Sequence, residues 1–287
     1  MQLPLPLTRD LVLIGGGHAH ALVLRRWGMK PLPGARLTLI NPGPTAPYTG
    51  MLPGHIAGHY EREALEIDLV RLARFAGARL ILGEAEGIDL SRRRVRVKGR
   101  GEIAYDIASI DIGIGSAPLA LPGFAEHGIA AKPLGGYAER WARFCKEVEA
   151  GRLPPQIAVI GGGVGGVELA LAMAWRLRAL DPQITIIEAQ AALPHIGRGA
   201  RRALIARMKT AGIALIEGVA PVEVTAQAVR LADGREIPSR LTVGVAGARP
   251  HRWLAETGLK LVDGFIEIGP DLDETIDELQ PRLGKPP

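Results

Sequence analysis

The sequence predicts an α/β protein with two related units, each a parallel sheet flanked by helices and extended by a small antiparallel meander. Three observations lead to this prediction. Runs of aliphatic residues alternate with helical stretches, two of these runs end in glycine-rich turns, and the pattern of the first half recurs in the second. At roughly 100–200 residues per domain, the length of 287 residues suggests two domains.

Both copies begin with the same succession of elements. The first runs from the aliphatic stretch Leu11–Ile14 through three glycines into an apolar helix, and the second does so from Ile157–Ile160. In each copy a second aliphatic stretch follows the helix, at 37–40 and at 184–187, and ends on a polar residue. Aliphatic strands separated by helices predict a parallel sheet with crossover helices, giving three layers.

The second half of each copy predicts a meander and a closing strand. In copy one, valines alternate with cations at 94–98, as expected of a strand with valines inside and charges in water. We prefer this interpretation of the basic stretch Ser91–Arg100 to a nucleic-acid patch. The closing strands run into Gly-x-Gly-Ser-x-Pro at 113–118 and Gly-x-x-Pro at 247–250.

Composition narrows the function classes. Hydrophobic residues make up 47% and charged residues 23%, a normal balance for a globular protein. The single cysteine, Cys145, excludes an intramolecular disulfide and a Cys-x-x-Cys motif. With only 4% aromatic residues, a base-stacking nucleic-acid platform is not expected.

We expect neither a signal peptide nor a transmembrane segment. The N-terminus lacks the basic start and apolar core of a signal peptide. The apolar stretch Ile157–Trp175 contains five glycines and Glu168, so we interpret it as a buried strand, a turn and a helix. The expected location is the cytoplasm, either free or at the inner face of the membrane.

The glycine turn of copy two predicts a dinucleotide site. Gly161, Gly163 and Gly166 form Gly-x-Gly-x-x-Gly between a strand and a helix. The glycines allow a tight turn, close approach of a pyrophosphate and close packing of the helix, whose N-terminus attracts phosphate. Glu188 ends the second strand, where an acid accepts ribose hydroxyls and repels a 2′-phosphate. This Rossmann pattern favours NAD(H) over NADP(H).

Copy one departs from this pattern at two positions. Gly15 and Gly17 match, but His20 stands at the position of the third glycine and Asn41 replaces the acid. An amide can still hydrogen-bond a ribose without charge. Either the helix packs more loosely against the strand or the His20 ring turns toward the ligand.

Two Rossmann units with meanders and these closing motifs resemble the pyridine nucleotide-disulfide oxidoreductase superfamily. The resemblance implies that copy one binds FAD and that an NAD(P)H domain is inserted in the FAD domain. The expected domains are 1–122 for the first FAD part, 123–250 for NAD(H) with a helical lead-in, and 251–287 for an incomplete return to the FAD domain. Without a redox cysteine pair, the chain is most similar to the type II NADH dehydrogenase branch. The segments Gly15–His20 and Pro47–Tyr60 resemble the NADH-dehydrogenase-like domain fused to selenophosphate synthetase in some bacteria.

The resemblance implies hydride transfer from NADH to FAD and then electron transfer to a small-molecule acceptor, a quinone or another compound. We expect no nucleic-acid partner, and a homodimer is one expected assembly. Glu168 resembles the family glutamate that faces the nicotinamide, and Lys132 is either a flavin-facing residue or a surface lysine. The residues expected to bind the cofactors are Gly15, Gly17, His18, Asn41, Tyr48, Met51, Leu52, Gly115, Ser116, Gly161, Gly163, Gly166, Glu188 and Gly247.

Two features leave alternatives open. His55 and His59 are spaced i, i+4, but they lack a nearby acid or third ligand, so we expect no metal site. After Gly264–Pro270 the sequence contains no Gly-Asp motif of the kind that binds the FAD ribityl chain in this superfamily. The simplest account is a truncation or a change of reading frame, either of which leaves the FAD site without one wall. The alternative function is therefore a dinucleotide-binding module without turnover.

Overall fold

A computed structural model describes residues 8–116, 119–245 and 248–269 of the chain. Contacts divide it into two compact units. The first comprises the described parts of Met1–Pro47, Glu66–Gly115 and Arg249–Pro287, and the second comprises those of Tyr48–Leu65 and Ser116–Ala248. Gly247, one of the residues expected to bind a cofactor, lies outside the described residues, and so do residues 270–287.

The helices and strands are numbered in chain order. The α-helices are α1 His18–Met29, α2 Leu52–Ile56, α3 Leu69–Ala76, α4 Phe124–His127, α5 Leu134–Glu149, α6 Val164–Arg176 and α7 Arg198–Thr210. Short 3₁₀ helices cover Thr49–Met51, Arg62–Leu65 and Arg252–Glu256. The strands are β1 Arg9–Ile14, β2 Ala35–Asn41, β3 Thr45–Pro47, β4 Glu66–Asp68, β5 Arg79–Leu82, β6 Ala85–Asp89, β7 Arg94–Val97, β8 Gly101–Ala104, β9 Ile107–Ile110, β10 Gly115–Ser116, β11 Gly128–Ala130, β12 Gln156–Ile160, β13 Gln183–Glu188, β14 Ile213–Glu217, β15 Pro221–Val224, β16 Ala228–Leu231, β17 Glu236–Pro238, β18 Leu241–Gly244, β19 Ala248–Arg249, β20 Leu261–Val262 and β21 Phe265–Ile266.

The first unit is built on a parallel sheet with the strand order β5-β2-β1-β9. Val12, Leu13 and Ile14 of its central strand are buried, as expected of a strand covered on both faces. Strand β1 pairs in register with both neighbours, so that Ile14 lies opposite Ile40 and Ile110. The carboxyl ends of these three strands therefore meet at one edge of the sheet.

The second unit repeats this arrangement and adds a strand. Its parallel sheet has the order β11-β18-β12-β13-β14. Strands β18, β12, β13 and β14 correspond, in that order, to β9, β1, β2 and β5 of the first unit. Strand β11, from the segment that leads into the second copy, pairs with β18. Ile157, Ala158 and Val159 of the central strand are fully buried. The predicted α/β fold with two parallel sheets is thus confirmed.

Each unit also contains the predicted antiparallel meander, β6-β7-β8 in the first and β15-β16-β17 in the second. In β7 the valines Val95 and Val97 are buried while the Arg96 side chain is exposed. The interpretation of this basic stretch as a half-exposed strand is confirmed. Trp253, after the second copy, packs on the same apolar cluster of the first unit.

The segment Tyr48–Leu65 lies in the second unit, whereas the sequence-based boundary places it in the first. Leu52, Ile56 and Leu65 are buried in the same core cluster as helix α5. The indole Nε1 of the buried Trp141 donates a hydrogen bond to the Ile56 carbonyl oxygen at 3.1 Å. Apolar burial and this bond together explain why the segment joins the second unit.

We expect Trp141→Phe to lower the free energy of unfolding by about 2 kcal/mol, because it leaves the buried Ile56 carbonyl without its donor and removes part of a packed ring. Urea unfolding followed by circular dichroism measures this. Trp175→Phe is the matched control: Trp175 is 45% exposed, so the expected change is below about 0.5 kcal/mol. Equal losses in the two variants would contradict the anchoring role of Trp141.

Candidate dinucleotide-binding loops

The second-copy loop turns tightly between β12 and α6. Gly161 has φ of 116°, a left-handed conformation that side chains rarely adopt. Its N–H donates to the Ile187 carbonyl at 2.9 Å, and the N–H of Gly162 donates to the Glu188 Oε2 at 2.7 Å. Both acceptors lie at the end of the neighbouring strand β13, so the strand pairing itself positions the loop.

Gly166 brings the helix close to this loop. A Cβ at position 166 would collide with the carbonyl oxygen of Gly161. By contrast, the space beside Gly163 is open, with nothing within 4 Å of a Cβ there. The first glycine of the motif is therefore required by its backbone conformation and the third by close packing, while the second leaves the helix N-terminus accessible to a ligand.

A cavity of about 190 Å³ lies beside this helix N-terminus. Its lining residues are Gly163, Val164, Glu188, Gln190, Ala191, Leu193, Pro194, His195 and Ile196. Sequence reasoning found Gly163 and Glu188 but missed the segment after Glu188, because that segment carries no recognisable spacing pattern.

The loop after Glu188 is held by the chain itself. The N–H of Leu193 donates to the Gly162 carbonyl at 2.9 Å. Glu217 Oε1 accepts from the N–H of Ala192 at 2.6 Å and from Arg201 at 2.8 Å. These hydrogen bonds fix the cavity wall.

Glu188 already accepts two backbone hydrogen bonds. Its Oε1 accepts from the N–H of Gln190 at 3.0 Å, in addition to the Gly162 bond on Oε2. Each carboxylate oxygen keeps a second lone pair, so the group can also accept from the hydroxyls of a ribose. The backbone bonds hold the carboxylate at the cavity edge.

The first-copy loop has the same backbone scheme. The N–H of Gly15 donates to the Ile40 carbonyl and the N–H of Gly16 to the Asn41 Oδ1, both at 2.8 Å. The buried Asn41 amide donates in turn to the Gly43 carbonyl at 2.8 Å and to that of Thr45 at 3.3 Å. Asn41 thus braces the loop and its own strand end, and its ribose contact remains a prediction.

His20 replaces the third glycine by a different contact. Its buried ring lies between helix and strands, with Nδ1 2.6 Å from the Gly15 carbonyl oxygen and Nε2 2.9 Å from Ser109 Oγ. A carbonyl only accepts, so Nδ1 carries the proton and Nε2 accepts from the hydroxyl. Desolvation by burial lowers the pKa of His20, against the opposing effects of the Gly15 carbonyl and Asp111. The His20 ring therefore lies inside the fold, held by the Gly15 carbonyl and Ser109, and does not turn toward a ligand.

Asp111 follows strand β9 and lies against the start of α1. Its carboxylate Oδ2 accepts from the N–H of His20 at 3.1 Å, and its carbonyl accepts from the N–H of Gly17 at 3.3 Å. A Cβ at Gly17 would collide with the same carboxylate. Sequence reasoning missed Asp111, since the closing strand was expected to continue through 111 but ends at Ile110.

The remaining sequence-based candidates lie in both units. His18 is the exposed first residue of α1, and Glu168 is exposed on α6. Tyr48 is exposed, Met51 half-buried and Leu52 buried, all in the second unit. Gly115 and Ser116 form the short strand β10, and Lys132 lies half-buried between β11 and α5. Their cofactor contacts remain predictions.

Thiol and metal chemistry have little support among the described residues. Cys145 is buried in α5, and burial raises the pKa of its thiol to about 12, which keeps it protonated at neutral pH. His55 Nδ1 contacts the Tyr60 carbonyl oxygen at 2.9 Å, and the ring of His59 lies 6.0 Å from that of Trp175. Within the described ranges, no three His, Cys, Asp or Glu side chains are grouped as metal ligands would be.

The sequence pattern of the pyridine nucleotide-disulphide oxidoreductases matches residues 9–279, which is most of the chain. The chain belongs to this family. Both glycine loops lie within the matched range, and so do both meanders. No curated protein sequence shows significant similarity to the chain.

Solved structures share this fold at low identity. Reduced CoADR-RHD from Bacillus anthracis is 21% identical with a TM-score of 0.78, over 93% of this chain and 49% of its own length. A NAD-dependent persulfide reductase from A. fulgidus is 22% identical with a TM-score of 0.75, over 93% of this chain and 51% of its own. NDH2 from Plasmodium falciparum, solved with NADH, is 14% identical with a TM-score of 0.72, over 87% and 57%. The chain thus spans about half the length of these three proteins.

In the part of the chain that the structure describes, no helix is both long and apolar enough to cross a bilayer. The apolar stretch 157–175 instead forms β12, the glycine loop and most of α6. Its interpretation as a strand, a turn and a helix is confirmed.

We expect Gly166→Ala to destabilise the protein by about 1–3 kcal/mol, because the added methyl group has to displace either the helix or the Gly161 carbonyl. Thermal unfolding measures the loss. The control is Gly165→Ala in the same turn, where the nearest atom to a Cβ is a Val245 methyl carbon at 3.6 Å, an ordinary contact. A Gly166→Ala variant as stable as Gly165→Ala would contradict the close approach.

The free energy of unfolding should decrease as the pH is lowered below about 6.5, the pKa of a free imidazole. The pKa of His20 is lowered in the folded chain, so the unfolded chain binds a proton first and stability declines as pH falls toward the folded value. Urea midpoints between pH 7.5 and 5 measure the slope. His20→Gln should flatten it, because the amide that replaces the imidazole does not titrate. Equal slopes in wild type and His20→Gln would refute the buried neutral ring.

Proposed function

We propose that the chain is an FAD-dependent NADH oxidoreductase that passes electrons to a non-disulfide acceptor. The observation that carries the proposal is the second-copy loop: Gly161 and Gly163 present a helix N-terminus to the same cavity that Glu188 borders. Phosphate binds helix N-termini through unpaired N–H groups and the positive end of the dipole. The cavity therefore matches the phosphate and ribose ends of a dinucleotide.

Glu188 supports NADH rather than NADPH as the preferred donor. Its carboxylate accepts hydrogen bonds from free ribose hydroxyls and repels a 2′-phosphate. The bonds from the N–H groups of Gly162 and Gln190 keep this negative charge at the cavity edge. Repulsion of the 2′-phosphate is therefore a property of the folded loop.

The first-copy loop is the counterpart for FAD. The turn at Gly15, with φ of 89°, and the start of α1 offer the same backbone setting as copy two. The fit depends on one side chain, since Asp111 lies where the pyrophosphate would approach Gly17. Rotation of Asp111 away from the loop opens that position, and bound flavin would then supply the hydride-accepting ring system.

Two arguments support a non-disulfide electron acceptor: the chemistry of the only cysteine, and the similarity of the chain to solved structures. The buried, protonated thiol of Cys145 does not supply the cysteine pair of a disulfide reductase. Similar structures include a sulfide:quinone oxidoreductase from Aquifex aeolicus and ferredoxin reductases. Among these acceptor classes we favour a quinone or another small molecule, in line with the type II NADH dehydrogenase resemblance.

A binding module without turnover is the second candidate, and Asp111 is the observation that favours it. If its carboxylate stays on the first loop, copy two alone would bind a dinucleotide. The chain would then hold NADH without an internal electron acceptor.

A bound-cofactor spectrum distinguishes these candidates. We expect the purified chain, after incubation with FAD and desalting, to keep a near-stoichiometric flavin band that NADH bleaches without oxygen. NADPH should bleach it far more slowly. Loss of the band on desalting, with NADH binding retained, would favour the module.

The charge of Glu188 is tested by Glu188→Gln, which keeps an acceptor for the loop but removes the charge. We expect NADPH binding to strengthen about tenfold relative to NADH binding, as one close repulsion is removed. Titration calorimetry with each nucleotide measures the ratio. Glu217→Gln is the control: its carboxylate accepts from Ala192 and Arg201 and is not among the residues that line the cavity, so the ratio should stay unchanged.

A further inference from the structure

Asp111 and Val245 occupy equivalent positions in the two copies. Each follows the closing strand of its sheet, β9 or β18, and each donates its N–H to the last residue of the first strand. These bonds run from Asp111 to the Ile14 carbonyl and from Val245 to the Ile160 carbonyl, both at 2.8 Å. One position thus carries a carboxylate in copy one and an isopropyl group in copy two.

In copy one this carboxylate lies at the N-terminus of α1, where an anion is stabilised. It accepts the N–H of His20 in the first turn of α1 and lies directly against Gly17. The backbone carbonyl of Asp111 also accepts a hydrogen bond from the N–H of Gly17. In copy two the Val245 side chain carries no charge, and the space beside Gly163 is open.

A carboxylate and a pyrophosphate compete for the same setting. Both are anions stabilised by unpaired N–H groups and by the positive end of the helix dipole. A pyrophosphate that approaches Gly17 meets the Asp111 charge and has to displace it from its hydrogen bond. Such like-charge repulsion weakens binding unless the side chain moves away.

We propose that Asp111 is an internal anion that restricts dinucleotide binding at the first loop, so that the two loops of this chain differ in phosphate affinity because of one side chain. Copy two binds its dinucleotide directly. Copy one binds only as the Asp111 side chain rotates out of the loop. The proposal rests on the proposed function in assigning FAD to copy one.

Asp111→Asn tests the proposal in the full-length chain freed of nucleotide. An amide oxygen can still accept from the N–H of His20, so the helix cap is preserved while the charge is lost. FAD titration followed by quenching of flavin fluorescence should show a dissociation constant about tenfold or more below that of the wild type, as one close repulsion is removed. Equal or weaker FAD binding by Asp111→Asn would overturn the proposal.

Asp106→Asn is the matched control. Asp106 is a half-buried carboxylate of the same unit that accepts a backbone N–H, that of Asp10 at 2.7 Å, at the start of β1 away from the loop. Its replacement should leave FAD affinity unchanged. An equal gain in both variants would indicate a general effect of net charge and would overturn the proposal.

The reciprocal change separates this proposal from the proposed function. Val245→Asp should weaken NADH binding about tenfold relative to Val245→Asn, which has similar size but no charge. If wild type and Asp111→Asn bind FAD equally well, the proposal fails while the flavin assignment stands. If neither binds FAD, the flavin assignment fails, and the NADH comparison decides the proposal: equal NADH affinity of the two Val245 variants overturns it.

Discussion

In both copies a helix begins where two parallel strands end, and the chain between them has to turn within three residues. The hydrogen bond from the first glycine to the neighbouring strand sets that turn, at 2.8 Å for Gly15 and 2.9 Å for Gly161. The side chain at the strand end, Asn41 or Glu188, then accepts from the next N–H. Strand pairing therefore decides where each helix N-terminus lies, and the candidate chemistry of both loops depends on it.

The helix contacts the glycine loop in a different way in each copy. In copy two, the absence of a side chain at Gly166 lets the helix approach the Gly161 carbonyl. In copy one, His20 lies at this position and donates to the Gly15 carbonyl, while the Ser109 hydroxyl donates to the other ring nitrogen. A glycine and a buried neutral histidine thus serve the same contact, one by proximity and the other by hydrogen bonding.

The loops also differ in the anion they present or accept. Glu188 places a carboxylate at the edge of the cavity beside the start of α6. Asp111 places its carboxylate against the start of α1, on the other loop. Within one duplicated framework, the two loops thus differ in where a carboxylate lies relative to the helix N-terminus.

Periodicity and glycine spacing in the sequence were enough to predict the duplication, the parallel sheets, the meanders and the second-copy loop, because these depend on local patterns of burial and backbone freedom. For example, the alternation of valines with cations correctly predicted that Val95 and Val97 are buried. The position of Asp111 over α1, the inward ring of His20 and the packing of Tyr48–Leu65 with α5 were decided only by tertiary structure. Each depends on residues far apart in the chain, as Asp111 and His20 are, and no local pattern records which distant groups share a hydrogen bond or a core.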